Sequence, residues 1–125
     1  MTTQILRMLI AGALFVHGAG HTLGFWMPAR SWLFPNLGEP ILRIISSAIW
    51  IFAAIGFLAA FLGFLGVLVP NNLWQPIAVG TAIVSIMGLV LFWGSWPKFN
   101  TIGALGMNMA VLITQLWLSW PPANI

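Results

Sequence analysis

The chain has 125 residues, 61% hydrophobic and only 4% charged, with a formal net charge of +3 and no cysteine. A soluble globular domain carries charge at about a quarter of its positions, so this composition excludes one. Disulfides, thiolate metal sites and thiol redox chemistry are excluded too, and the positive balance reflects a single acid, Glu39, against Arg7, Arg30, Arg43 and Lys98, so no nucleic-acid surface is indicated.

The apolar residues fall into four blocks, each near the roughly 20 residues that a helix needs to cross the hydrocarbon of a bilayer. None shows the alternation of an outer-membrane barrel strand. The expected fold is all-α: one polytopic membrane domain over residues 1–125, an antiparallel four-helix transmembrane bundle with spans at about 4–25, 43–69, 73–93 and 101–119.

Arg7 ahead of an apolar stretch resembles a signal peptide, but no small-residue cleavage site precedes a soluble domain, so this segment is read as a retained first span. Gly12, Gly20 and Gly24 fall with Val16 on one stripe at a spacing of four, the pattern that lets membrane helices approach closely. The only two histidines, His17 and His21, stand beside that stripe with Ala13. Their spacing puts both imidazoles on one helix face, about 6 Å apart along the axis, and they are expected to face the bundle interior.

Trp26 to Pro40 forms the longest connection, with Pro28, Pro35 and Pro40 against a continuous helix and Trp26 and Trp32 suited to the headgroup level. The block from Ile41 to Val69 would measure about 44 Å as one helix, so its first turn, with Arg43, is placed in the interface. Gly56, Gly63 and Gly66 are assigned to bending or close packing. Pro70-Asn71-Asn72 makes a turn, and the third span tolerates Pro76 in its first turn. Gly94 to Asn100 is the third connection. The fourth span carries Gly103, Gly106, Asn108 and Gln115 and closes on Trp117, Trp120 and Pro121-Pro122.

Short connections make consecutive helices antiparallel neighbours, which groups the first and third loops at one end. Arg30, Arg43 and Lys98 fall at that end and Arg7 at the other, so the positive-inside rule places the first and third loops in the cytoplasm. Counted back from that end, His17 and Asn108 both lie about 12 Å deep and His21 about 6 Å. Ser46 and Ser47 enter the same half, with Glu39, Arg43, Lys98 and Thr101 at its mouth.

An ionisable residue within a span is a functional-site candidate by default. His17 and His21 admit several readings: interhelical hydrogen-bonding glue, a shared transition metal, a haem, chlorin or quinone contact, or a proton relay. A metal would need a third ligand from Glu39, Asn108, Met27 or Met107, and no glutamate follows His17 as in a zinc protease. Bis-histidine haem would need a partner chain, because adjacent turns of one helix cannot reach opposite faces of a macrocycle. His17, His21 and Asn108 are thus the cofactor-binding candidates, His17 and His21 the metal candidates, and Gly12, Gly20 and Gly24 the packing candidates. Most of the eight tryptophans sit at span ends and read as an interfacial belt, and the six scattered methionines as packing residues. Glu39, just before Pro40, reads as an N-terminal helix residue facing Arg43 at i+4.

The run Arg7-Met8-Leu9-Ile10-Ala11-Gly12-Ala13-Leu14-Phe15-Val16-His17-Gly18 resembles the first helix of DoxX-like proteins, small bacterial four-helix membrane proteins in which an arginine opens an apolar helix ending in histidine-glycine. His17-Gly18 to Gly24-Phe25, Leu91-Phe92-Trp93 and Lys98-Phe99-Asn100-Thr101 are similar to segments of other bacterial four-span proteins. That resemblance implies a small partner in the bacterial inner (plasma) membrane, linked to thiosulfate:quinone oxidoreduction or oxidative-stress complexes. His21 stands where many of those proteins carry lysine.

The leading expectation is an accessory or scaffold subunit that packs in the lipid bilayer against itself, as a homo-oligomer, or against a larger complex. The alternative is a redox or quinone-linked subunit using His17 and His21, and the third a small transporter or channel subunit, which lacks an acid within a span. With two histidines and one interfacial glutamate, an enzyme acting alone is not expected.

Overall fold

The computed structural model describes residues 2–125, whose only regular elements are helices, without strands. Helix α1, Thr2–Gly20, runs on as a 3-10 segment, His21–Trp26. Thr22 Oγ1 donates back to the Ala19 carbonyl at 2.6 Å, the kind of side-chain competition that tightens a helix end. α2 covers Glu39–Leu65, α3 covers Trp74–Leu91 after a 3-10 turn at Asn71–Leu73, and α4 covers Lys98–Leu112 before a π turn at Ile113–Trp117. By length and composition, the four helical stretches Thr2–Trp26, Glu39–Leu65, Asn71–Leu91 and Lys98–Trp117 can each cross a membrane.

The second helix lies four residues nearer the N-terminus than its pattern of apolar residues predicts. Gly38 is extended and Pro40 occupies the first turn, where its missing N–H leaves no bond unmade. Gly66 is left-handed, at φ 71°, and stops the helix there; it is a C-terminal cap, not a bending or packing glycine inside a span.

α2 is the centre of the fold: α1, its 3-10 extension and α3 pack on it, and α4 packs on α3. Arg30 N–H donates to Ser95 Oγ, which places the first and third loops together. At the other end Trp74 Nε1 and Gln75 Nε2 donate to the Ala123 and Pro121 carbonyls, which draws the C-terminal segment over the start of α3.

Two apolar clusters fill the interior. Leu14, Phe57, Phe64, Trp74, Ala82 and Val111 belong to one, toward the chain termini. Trp50, Leu89, Phe92, Trp96 and Ala104 belong to the other, under the first and third loops. Close approach depends on glycine at several points: a Cβ on Gly18 would meet Phe57 Cβ at 3.0 Å, one on Gly24 would run into the Trp50 indole, and Gly56, Gly63 and Gly88 are crowded in the same way by Thr81, Trp74 and Ile49. Trp50, Trp74 and Trp96 are buried, so these three tryptophans form core and not an interfacial belt.

Candidate functional site

Between the two apolar clusters lies a thin polar layer. On α1 it falls after Leu14, on α3 between Ala82 and Leu89, and on α4 between Ala104 and Val111. It consists of His17, His21, Ser85 and Asn108; the first is 8% exposed, His21 1%, and Ser85 and Asn108 are fully enclosed.

The hydrogen bonds of the layer run in one direction. His21 Nδ1 faces the His17 carbonyl at 2.8 Å, and since a carbonyl only accepts, that nitrogen carries the proton. In the neutral ring Nε2 is then an acceptor, and the Ser85 hydroxyl donates to it at 2.6 Å. Ser85 Oγ accepts from Asn108 Nδ2 at 2.7 Å. Asn108 Oδ1 in turn accepts from His17 Nε2–H, also at 2.7 Å. The chain of donors starts at the His17 ring and returns to the His17 backbone. Every polar atom in it is paired except His17 Nδ1.

Aromatic rings enclose the layer. Phe57 lies 4.4 Å from the His17 ring and 5.6 Å from that of His21, centroid to centroid. Trp50 and Trp96 lie 6.0 and 6.2 Å from His21. Such walls raise the cost of an unmade hydrogen bond, because no water competes for the groups inside.

α1 and α4 face each other across a cleft. Its upper part, about 280 Å³, is lined by Ala13, His17, Gly20, His21, Trp96, Gly103 and Met107 among others. A second part of about 210 Å³ continues past Ala13 and Met107 toward Thr114 and Trp120. His17 Nδ1 has no partner among the described residues and is not sealed from the surface, so the free lone pair of the layer meets this cleft. The buried Trp96 Nε1–H, on the same wall, is also without a partner.

This arrangement bears on each candidate ligand. His21 spends one nitrogen as donor and the other as acceptor, so it offers no lone pair for a metal while the layer is intact. Asn108 Oδ1 is engaged as well, Glu39 is ion-paired with Arg43 at 2.7 Å near the bundle end, and Met27 packs against the Trp50 cluster. Only Met107 shares the cleft with His17. No group of three His, Cys, Asp or Glu capable of holding a metal gathers among the described residues.

The packing glycines divide. Gly24 receives Trp50, whereas Gly12 and Gly20 have open space where a Cβ would stand, as do Gly103 and Gly106 on α4. Ser46 is buried but donates to the Arg43 carbonyl, outside the layer. No protein-family model, curated protein or solved structure matches this chain.

Sequence reading misses Ser85 and Trp96. A signal for Ser85 exists: seven residues before Phe92, it is the one hydroxyl in the inner half of the third span, about 10 Å in. Trp96, in a Gly-Ser-Trp-Pro loop, carries every mark of an interfacial tryptophan, and only its packing on Trp50 at 5.2 Å shows it to be a wall of the site.

Proposed function

We propose that this chain is a multi-span membrane accessory protein that holds a small lipophilic molecule of the quinone or quinol class in the cleft between α1 and α4. The observation that carries this reading is the single unpaired acceptor of the polar layer, His17 Nδ1, at the wall of that cleft. A quinol hydroxyl donates to such a nitrogen, and the flat ring fits between small residues, Ala13 and Gly20 on one side and Gly103 on the other. His21, Ser85 and Asn108 hold the ring of His17 in one tautomer, which keeps the lone pair on the cleft side.

The test is binding of a decyl-substituted benzoquinone and its quinol to the detergent-purified protein, followed by tryptophan fluorescence. Saturation at one molecule per chain is expected, with the quinol weakened at least about tenfold by His17→Phe. Equal binding by this variant, its fold verified by circular dichroism, would refute the assignment.

A second reading, the scaffold, is favoured by Gly12, Gly20, Gly103 and Gly106, none of which is packed against a neighbour within the chain, Gly20 and Gly103 lining the cleft itself, so that a helix of another chain has room to approach. Cross-linking in native membranes separates the two: a Gly103→Leu variant that loses a cross-linked partner supports the scaffold. Arg30, Arg43 and Lys98 at the end of the first and third loops support a cytoplasmic position for that end in a bacterial plasma membrane. Because the chain has no cysteine, single cysteines introduced at Trp32 and Asn72 report sidedness directly by labelling of intact cells.

A further inference from the structure

We infer that the first loop builds a second site, separate from the cleft, which receives the phosphodiester of a glycerophospholipid headgroup on Arg30 and Ser31. The two residues line a hollow of about 330 Å³ under the loop, together with Phe34, Pro35, Glu39 and Leu42.

The loop is not loosely placed there. Ser95, itself buried, clasps Arg30 from both sides: its Oγ accepts from the Arg30 amide at 2.9 Å and donates to the Arg30 carbonyl at 3.0 Å. Trp32 Nε1 donates to the Val90 carbonyl at 2.6 Å and fixes the next residues to the end of α3. Three prolines restrict the backbone further. A segment without regular structure is thereby held in one position.

Two groups in the hollow lack partners. The Arg30 guanidinium bonds nothing among the described residues, and no acidic side chain is left to pair with it, because the one acid, Glu39, is taken by Arg43. Arg43 is also engaged with the Phe25 carbonyl at 3.2 Å. Ser31, only 8% exposed, lines the hollow and has a buried hydroxyl with no hydrogen-bond partner. Arg30 and Arg43 against Glu39 leave one net positive charge, which a phosphodiester with its single negative charge balances. The carboxylate of Glu39 in the same hollow is offset by Arg43 and does not repel the anion unopposed. Phe34, Pro35 and Leu42 supply the apolar wall that the glycerol and first acyl carbons need, and exposed Trp26 and Trp32, the kind of residue that anchors at headgroup level, flank Arg30 and Ser31 in the chain. An arginine with a hydroxyl beside it is a common phosphate contact, the guanidinium giving a forked pair and the hydroxyl a third bond.

The test uses the full chain in a maltoside detergent, with dioleoyl phosphatidylglycerol added and retained lipid counted by native mass spectrometry. One molecule per chain is expected, phosphatidylcholine is expected to compete, and dioleoylglycerol, which lacks the phosphate, is not. Arg30→Gln and Ser31→Ala should each reduce retention about tenfold, Arg30→Lys less, whereas Lys98→Gln, the same charge loss at the same end, should leave it unchanged. If Arg30→Gln does not fold, Ser31→Ala and Arg30→Lys carry the comparison. Equal losses for the Arg30 and Lys98 variants would mean diffuse attraction and overturn the site, as would unchanged retention in Ser31→Ala. Displacement of the lipid by millimolar inorganic phosphate would make this a free-ion site and overturn the assignment to a lipid.

Discussion

His17 and Asn108 stand 91 positions apart in the chain and are joined at 2.7 Å, the only side-chain hydrogen bond between α1 and α4 among the described residues. Elsewhere these two helices are separated by the cleft, so the bond acts as a stay across an open seam. Its removal leaves His17 Nε2–H and Ser85 Oγ each short of a partner inside an aromatic enclosure.

Asn108→Ala is therefore expected to lower stability by about 1–3 kcal/mol, toward the lower figure if the unfolded helices find other partners in the membrane. Ser85→Ala breaks the same ring at another point. The double variant should cost less than the sum of the two, because the second change removes bonds that the first has already broken. Unfolding in mixed micelles measures all three. Strict additivity would show that the four groups do not act as one network.

The direction of the ring makes a separate prediction about protons. Since His21 Nδ1 meets a carbonyl and His17 Nε2 meets the oxygen of Asn108, the two imidazoles must hold opposite tautomers when neutral. Nitrogen-15 spectra of histidine-labelled protein should show one ring protonated at Nδ1 and one at Nε2, the first signal vanishing in His21→Ala. Two rings in the same tautomer would contradict the geometry.

Much of this layer is legible in the sequence and part is not, for physical reasons. Four-residue spacing puts His17 and His21 on one face, and counting inward from the loop end gives His17 and Asn108 the same depth, which is enough to pair them. The sequence does not show that the helix tightens after Gly20, because that depends on how Thr22 and Gly24 settle against α2. Nor does it show which glycines pack. Gly12, Gly20 and Gly24 share a stripe on an ideal helix, but only Gly24, in the 3-10 turn, meets Trp50, while Gly12 has open space beside it and Gly20 lines the cleft. Hydropathy likewise cannot tell Trp50 or Trp96 from an interfacial tryptophan, since the difference is made by partners on other helices.

That division of the glycines is testable by a single methyl group. Gly24→Ala drives a Cβ into the Trp50 indole, which is itself buried against Phe92 and Trp96, and should cost about 1–3 kcal/mol. Gly12→Ala and Gly20→Ala meet nothing, and Gly20 already has right-handed helical angles. They are expected to leave the isolated chain as stable as before or raise it by up to about 1 kcal/mol through helix propensity. A loss of stability in Gly20→Ala that appears only at high protein concentration would instead reveal a partner seated on that face.

The clasp of Ser95 on Arg30 links the order of the first loop to what the loop can bind. Ser95→Ala removes one donor and one acceptor from a backbone that has no helix or strand to fall back on, while it leaves the helices and the apolar cluster toward the chain termini untouched. The expected result is local: amide exchange in residues 29–34 should quicken, exchange in the middle of α2 should stay unchanged, and the melting temperature should fall by only a few degrees. A loop so freed no longer holds the Arg30 guanidinium beside Ser31, so phosphatidylglycerol retention should drop in the same variant although neither proposed contact residue has been altered. If exchange quickens and lipid retention does not change, Arg30 reaches the headgroup without being positioned. The clasp would then serve only to close the end of the bundle, because pre-organisation of the loop is what connects its rigidity to binding.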